Sequence, residues 1–158
     1  KVNIATNGTV YNKRVQKILD ICNIHINISI DSLLHDRYSE IRINGDLSVL
    51  MKNFEIFNKY CKDGNRDLSI MVNPMRQNWD EMVEFVKWTD KHHVKLWYNT
   101  IRYPADCAIW NLPSEKLKEI HTSLQAELDS IPMTTYNYDK ADHLINRQIA
   151  NWLLESYE

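Results

Sequence analysis

Four short apolar runs alternate along the chain with longer segments in which apolar residues recur every three or four positions. The runs predict strands at 2–6, 24–31, 68–73 and 94–101. The longer segments predict helices at 12–22, 47–62, 79–92, 113–128 and 140–156. Strands that alternate with helices in this way build parallel sheets, because each helix returns the chain to the start of the next strand. The sequence therefore predicts an α/β fold of parallel βα repeats.

Glycine usage separates two kinds of parallel α/β fold. The chain has three glycines, Gly8, Gly45 and Gly64. Their spacing fits neither the glycine-rich turn of dinucleotide-binding folds nor a phosphate-binding loop. A barrel of βα units, or part of one, fits the chain better.

The run at 24–31 carries polar groups on its second face. Four isoleucines, at positions 24, 26, 28 and 30, alternate with polar residues, and the run ends at Asp31. Such alternation predicts a strand with one apolar and one polar face. Ser29 and Asp31 are thereby brought together at the carboxyl end of the strand.

The other predicted strands also end in polar residues, namely Asn7, Asn73, Asn99 and Arg102. In βα barrels the chemistry lies at the carboxyl ends of the strands, so these positions are candidate site residues. Structural alternatives exist for three of the positions. Asn7 and Gly8 form a common turn pair, Asp31 and Ser32 can cap the following helix, and Asn73 before Pro74 can end a strand.

Four segments resemble a known family in order and spacing: IATNGTV, INISIDS, HDRYSEIRINGDLSVLMKNFEIF and LSIMVNPMRQNWDEMVEFVKWTDKHHVKLWYN. Together they are similar to the later part of the radical S-adenosylmethionine enzyme domain, over about residues 2–112. The resemblance implies a partial TIM-type (β/α)6 barrel. Residues 1–112 would form its later βα units, and residues 113–158 would be helices that complete or extend it.

The resemblance also implies a site. Its cofactor-binding residues, at the ends of the strands, would be Ser29, Asp31, Asn7, Asn73 and Asn99. Ser29 would lie near the ribose of S-adenosylmethionine, and Asp31 would shape the next loop. Arg102 would pair with a carboxylate of cofactor or substrate, and Trp110 would form a wall of the substrate site.

Two parts of the family pattern are missing from this chain, the cluster-binding loop and a glycine-rich motif that follows the second strand of the family's barrel. The family holds a 4Fe–4S cluster on a Cx3Cx2C loop, which must bring three thiolates together. Cys22, Cys61 and Cys107 lie about 40 residues apart, so we expect no metal site and no tightly bound cofactor in this chain alone. The sequence also opens inside an apolar run, KVNIATNG. We therefore expect a fragment of an enzyme that, when intact, cleaves S-adenosylmethionine reductively at the cluster.

Composition limits the partners. The net charge is −2 without a basic block, so we expect no nucleic acid. No apolar stretch is long enough to cross a membrane, and three cysteines give no disulfide pattern, which predicts a reduced, cytoplasmic setting. A small molecule or peptide is the expected substrate. Self-association through the exposed barrel edge is also expected.

Two alternatives to the enzyme remain open from the sequence. The first is a non-catalytic half-barrel that binds or assembles with a partner, and the second is an unrelated βα-barrel enzyme.

Overall fold

The computed structural model describes residues 2–156, and the chain divides into two compact units between Val72 and Asn73. The first unit contains β1 (Val2–Thr6), α1 (Lys13–Ile21), β2 (Ile24–Ser29), α2 (His35–Ile41), α3 (Leu47–Asp63) and β3 (Leu68–Val72). The second contains α4 (Met82–His92), β4 (Lys95–Tyr98), α5 (Ser114–Asp129), α6 (Tyr138–His143) and α7 (Ala150–Glu155). Single 3-10 turns occupy Trp79–Glu81, Ala105–Cys107 and Ile109–Asn111. The predicted division at residue 112 stays a prediction.

The strands of the first unit lie side by side and parallel, in chain order. Val2 of β1 is paired with Ile24 of β2, and Ile26 of β2 with Leu68 of β3. Helices connect the strands, as parallel pairing requires. The predicted α/β class with parallel βα repeats is confirmed.

The apolar face of β2 forms the core of the first unit. Its four isoleucines, at positions 24, 26, 28 and 30, are at most 4% exposed. Helix α3 packs against β2 and β3, with Leu50, Phe54 and Phe57 buried. Since successive side chains of a strand point to opposite faces, Asn27 and Ser29 lie on the face away from these isoleucines. Both are half-buried.

Strand β1 lies at the edge of this sheet, and within residues 2–156 only β2 pairs with it. Its apolar side chains are incompletely covered: Val2 is 53% and Ile4 is 38% exposed. An edge of this kind can pair with another chain. Self-association through this edge stays a prediction.

A turn after β1 requires glycine. Gly8 has a φ of +68°, and a Cβ atom there would lie 2.6 Å from Leu50 Cδ1 and 2.9 Å from Ile28 Cγ2. The Gly8 carbonyl accepts a hydrogen bond of 2.9 Å from the buried Asn53 Nδ2. The Thr-Asn-Gly segment is thus anchored to α3.

Replacing Gly8 with alanine is expected to lower the free energy of unfolding by about 2–3 kcal/mol, because the left-handed backbone and the crowded Cβ each cost about 1 kcal/mol or more. Chemical denaturation measures this loss. The control is Gly64→Ala, since Gly64 has an ordinary φ and the three atoms nearest to its added Cβ belong to the end of the Arg66 side chain, which can move. An equal loss in both variants would contradict the assignment.

Helices bury the apolar residues of the second unit. Met82, Val83, Phe85 and Val86 of α4 are fully buried, as are Leu117, Ile120, Leu124 and Leu128 of α5. Strand β4 is shorter than the predicted 94–101. Beyond Tyr98 the backbone leaves the strand, and the Ile101 carbonyl accepts a hydrogen bond from the Trp110 indole N–H at 2.7 Å.

The predicted helix at 140–156 begins earlier, at Tyr138, and is not regular. A π-helix, Leu144–Ile149, lies between α6 and α7 and buries Leu144, Ile145 and Ile149. Across residues 2–156, every helix is too short or too polar to cross a lipid bilayer.

Candidate functional site

Asn7, the first candidate residue, lies in the turn after β1. Its Oδ1 accepts hydrogen bonds from the Thr9 backbone N–H at 3.2 Å and from the Thr9 hydroxyl at 2.9 Å. Both bonds are exposed, and they stabilise the turn that carries Gly8. The turn interpretation of Asn7 is therefore supported by direct contacts.

Asp31, the second candidate, is buried in an ion pair. Asp31 is 2% exposed. Its Oδ2 accepts a hydrogen bond from Arg42 Nε at 2.7 Å and lies 2.5 Å from Arg42 Nη2. Helix α2 begins after Leu34 without a side-chain cap, so Asp31 is not its N-cap. Ser32 instead accepts from the Leu34 N–H at 3.0 Å. The prediction that Asp31 and Ser32 cap this helix is therefore not confirmed for Asp31, whose carboxylate contacts Arg42.

Ser29, the third candidate, lies on the polar face of β2. Ser29 is paired with Met71 of β3 in the register of the sheet. The preceding pair on the same face is Asn27 of β2 and Ser69 of β3, and there the Ser69 hydroxyl donates to Asn27 Oδ1. Within residues 2–156 the Ser29 hydroxyl forms no hydrogen bond. It is therefore a donor and acceptor available to a ligand or to water.

A cavity of about 530 Å³ lies at the carboxyl end of β1, and its wall includes Asn7, Tyr38, Arg42, Asn44 and Asp46. Burial raises the pKa of the Tyr38 phenol, so it stays a neutral hydroxyl there. The Asp46 carboxylate caps α3, accepting from Ser48 N–H at 2.8 Å. This cavity suits a polar ligand with hydroxyl groups.

Asn73 and Asn99, the candidates of the second unit, are in contact. Asn99 Nδ2 donates to Asn73 Oδ1 at 3.1 Å, and the Asn73 carbonyl accepts from the buried Asn78 Nδ2 at 3.0 Å. The sequence singled out both members of this amide pair. The prediction that they share one cleft with Asn7, Ser29 and Asp31 stays a prediction.

The two substrate candidates lie on the segment that follows β4. The side chain of Arg102 is exposed, whereas Trp110 is 37% exposed and held by its indole bond to the Ile101 carbonyl. Arg102 forms part of the wall of a cleft of about 350 Å³. Trp110 borders a neighbouring cleft of about 220 Å³.

Arg76 was not predicted as a site residue from the sequence, although its hydrogen bonds hold the segment that follows β4. Its Nε donates to the Ala108 carbonyl at 3.2 Å and its Nη2 to the Asn111 carbonyl at 2.6 Å. The Arg76 N–H also donates to the Cys107 carbonyl at 3.0 Å. Nothing in the spacing of Arg76 from these carbonyls signals the contact, because the partners lie more than 30 residues away.

The cysteines do not fit an iron–sulfur cluster. Cys61 is buried, and burial raises the pKa of its thiol to about 11, whereas a cluster ligand is a thiolate. Cys61 Sγ donates instead to the Asp67 carbonyl at 3.6 Å. Among residues 2–156 no three side chains of His, Cys, Asp or Glu are grouped to hold a metal ion.

No family model, no curated protein and no solved structure matches this chain. The resemblance to radical S-adenosylmethionine enzymes therefore stays a prediction that rests on the four segments quoted above.

Proposed function

We propose that this chain supplies the later βα units of a radical S-adenosylmethionine enzyme. In this proposal β1 to β4 belong to a partial (β/α)6 barrel, and their carboxyl ends contact the ribose and adenine of the cofactor. The observation that carries the proposal is the Ser29 hydroxyl, which is half-buried on the polar face of a parallel strand and forms no hydrogen bond within residues 2–156.

A ribose diol requires short side chains that donate and accept hydrogen bonds, and serine does both. The Asp31–Arg42 pair supports this role indirectly, because it ties the chain two residues beyond Ser29 to Arg42, the residue that follows α2. The amide pair of Asn73 and Asn99 provides further polar groups in the second unit. Arg102 would pair with a carboxylate and Trp110 would form a substrate wall.

The chain does not itself offer three thiolates for a 4Fe–4S cluster. The proposal therefore assigns the cluster and the reductive cleavage to other residues of the intact polypeptide. A non-catalytic half-barrel module is the second candidate, and it would use the same parallel strands without the cluster.

Replacing Ser29 with alanine is expected to weaken S-adenosylmethionine binding by the intact polypeptide up to about tenfold, through the loss of one hydrogen bond. Titration calorimetry measures the affinity. The matched control is Ser48→Ala, which makes the same change at an exposed position of α3. Unchanged affinity in the Ser29 variant, or an equal loss in the Ser48 variant, would contradict the cofactor assignment.

Absence of binding by the intact wild-type polypeptide would instead favour the non-catalytic module. The 158-residue chain alone is expected to bind the cofactor weakly or not at all, because the cluster that anchors the methionine end lies outside it.

A further inference from the structure

We propose that the second unit binds a small organic anion through Arg102 and Arg147, in the cleft of about 350 Å³. The wall of this cleft includes Thr100, Arg102, His143, Arg147, Gln148 and Trp152. The two arginines come from different parts of the unit, one from the segment after β4 and the other from the π-helix. A guanidinium group is planar and presents parallel donors that match carboxylate and phosphate oxygens.

The charges of the cleft are unbalanced. Arg102 and Arg147 are exposed, and in the part of the chain that the structure describes neither side chain forms an ion pair or a hydrogen bond. One carboxylate, that of Glu155, lies in the same wall. Two guanidinium groups and one carboxylate leave a net positive charge even when His143 is neutral. An oxyanion placed between the arginines would be attracted to both.

The π-helix explains how these side chains are held. Leu144, Ile145 and Ile149 are at most 1% exposed, so they fix the segment to the core of the second unit. His143 and Arg147 are four residues apart and both are exposed. The Gln148 Oε1 accepts from the Thr100 hydroxyl at 3.4 Å, which connects the π-helix to the segment that carries Arg102. Short π-helical segments within α-helices often occur at functional sites.

An aromatic surface adjoins the cleft. Trp152 and Glu155 border both this cleft and the neighbouring one of about 220 Å³, which Trp110 also lines. Indole rings stack on other flat apolar groups. The arrangement therefore fits a ligand with an oxyanion at one end and a planar apolar group at the other. A carboxylate and a phosphate share this chemistry. Arg102 and Trp110 are also the substrate residues of the proposed function, so the inference rests on that part of it and deepens it. The test below uses neither S-adenosylmethionine nor Ser29, so its failure would leave the cofactor assignment standing.

The test is an NMR titration of the 158-residue chain with two probes, benzoate and inorganic phosphate. We expect saturable shifts at the indole N–H of Trp152 and at the Nε–H of Arg102 and Arg147. In Arg102→Gln and in Arg147→Gln the affinity should fall about tenfold or more, because each loses a charged hydrogen bond. Thermal unfolding should be unchanged, since both side chains are exposed.

The control is Arg14→Gln, which removes the same charge from an exposed position of α1. Saturation by benzoate alone assigns a carboxylate ligand with an apolar group, whereas saturation by phosphate as well assigns a general oxyanion site. Three outcomes would overturn the proposal: no saturation with either probe, full affinity in either cleft variant, or an equal loss in Arg14→Gln.

Discussion

Replacing Arg42 with alanine is expected to lower the free energy of unfolding by about 3 kcal/mol. The substitution removes the guanidinium whose Nε lies 2.7 Å from the Asp31 Oδ2, and the Asp31 side chain is only 3% exposed. Removing Arg42 takes a charged partner from a buried carboxylate that retains the cost of its dehydration, and breaking such pairs costs about 3–5 kcal/mol. Arg42 is 33% exposed, so water partly reaches the pair and the loss falls at the lower end.

Denaturant unfolding of single and double variants tests this assignment. Asp31→Asn should cost less than Arg42→Ala, because it removes the buried charge and leaves an arginine that water can solvate. In the double variant the loss should be smaller than the sum of the two single losses, which measures the coupling of the pair. Arg14→Ala is the control and should change the stability by less than about 0.5 kcal/mol. Equal stabilities of Arg42→Ala and Arg14→Ala would show that the pair contributes nothing.

The sequence predicted the position of Asp31 in the Asp31–Arg42 pair but not its partner. The alternation of isoleucine with polar residues predicts β2 well, because β-branched side chains suit a strand and the period assigns each residue to a face. The same pattern placed Ser29 and Asp31 at the end of the strand. It did not show that Asp31 would turn to Arg42, because that partner lies 11 residues away beyond a short helix.

The second unit departs further from the sequence prediction, for a similar reason. An apolar run at 94–101 predicts a long strand, yet β4 ends at Tyr98 because Asn99 bonds to Asn73 and the Ile101 carbonyl to Trp110. The periodicity of 140–156 predicts one helix and contains no sign of the π-helix at Leu144–Ile149. The first difference depends on polar groups that meet only after folding. Candidate residues could thus be found at strand ends, whereas their partners could not.

Replacing Asn137 with alanine is expected to lower the free energy of unfolding of the second unit by about 3–5 kcal/mol. Asn137 is 7% exposed, and its side chain satisfies three groups. Its Oδ1 accepts from the Leu96 N–H of β4 at 3.0 Å, while its Nδ2 donates to the Val94 carbonyl at 2.9 Å and to the Thr89 hydroxyl at 3.1 Å. Each buried group left without a partner costs about 1–3 kcal/mol.

Hydrogen exchange at the Leu96 amide measures this effect directly, because that N–H loses its acceptor in Asn137→Ala and should exchange much faster. The matched control is Asn65→Ala, which makes the same substitution at another position of positive φ. Asn65 is exposed and has no side-chain hydrogen bond within residues 2–156. Asn65→Ala should therefore lower the free energy of unfolding by about 1 kcal/mol, the backbone strain of alanine at a positive φ.

Asn137→Gly separates the loss of the side-chain hydrogen bonds from the backbone strain. Glycine tolerates the backbone conformation but cannot replace the amide, so most of the loss should persist. A Gly variant as stable as the wild type would show that Asn137 is retained for its backbone alone, and that the edge of β4 does not depend on its side chain.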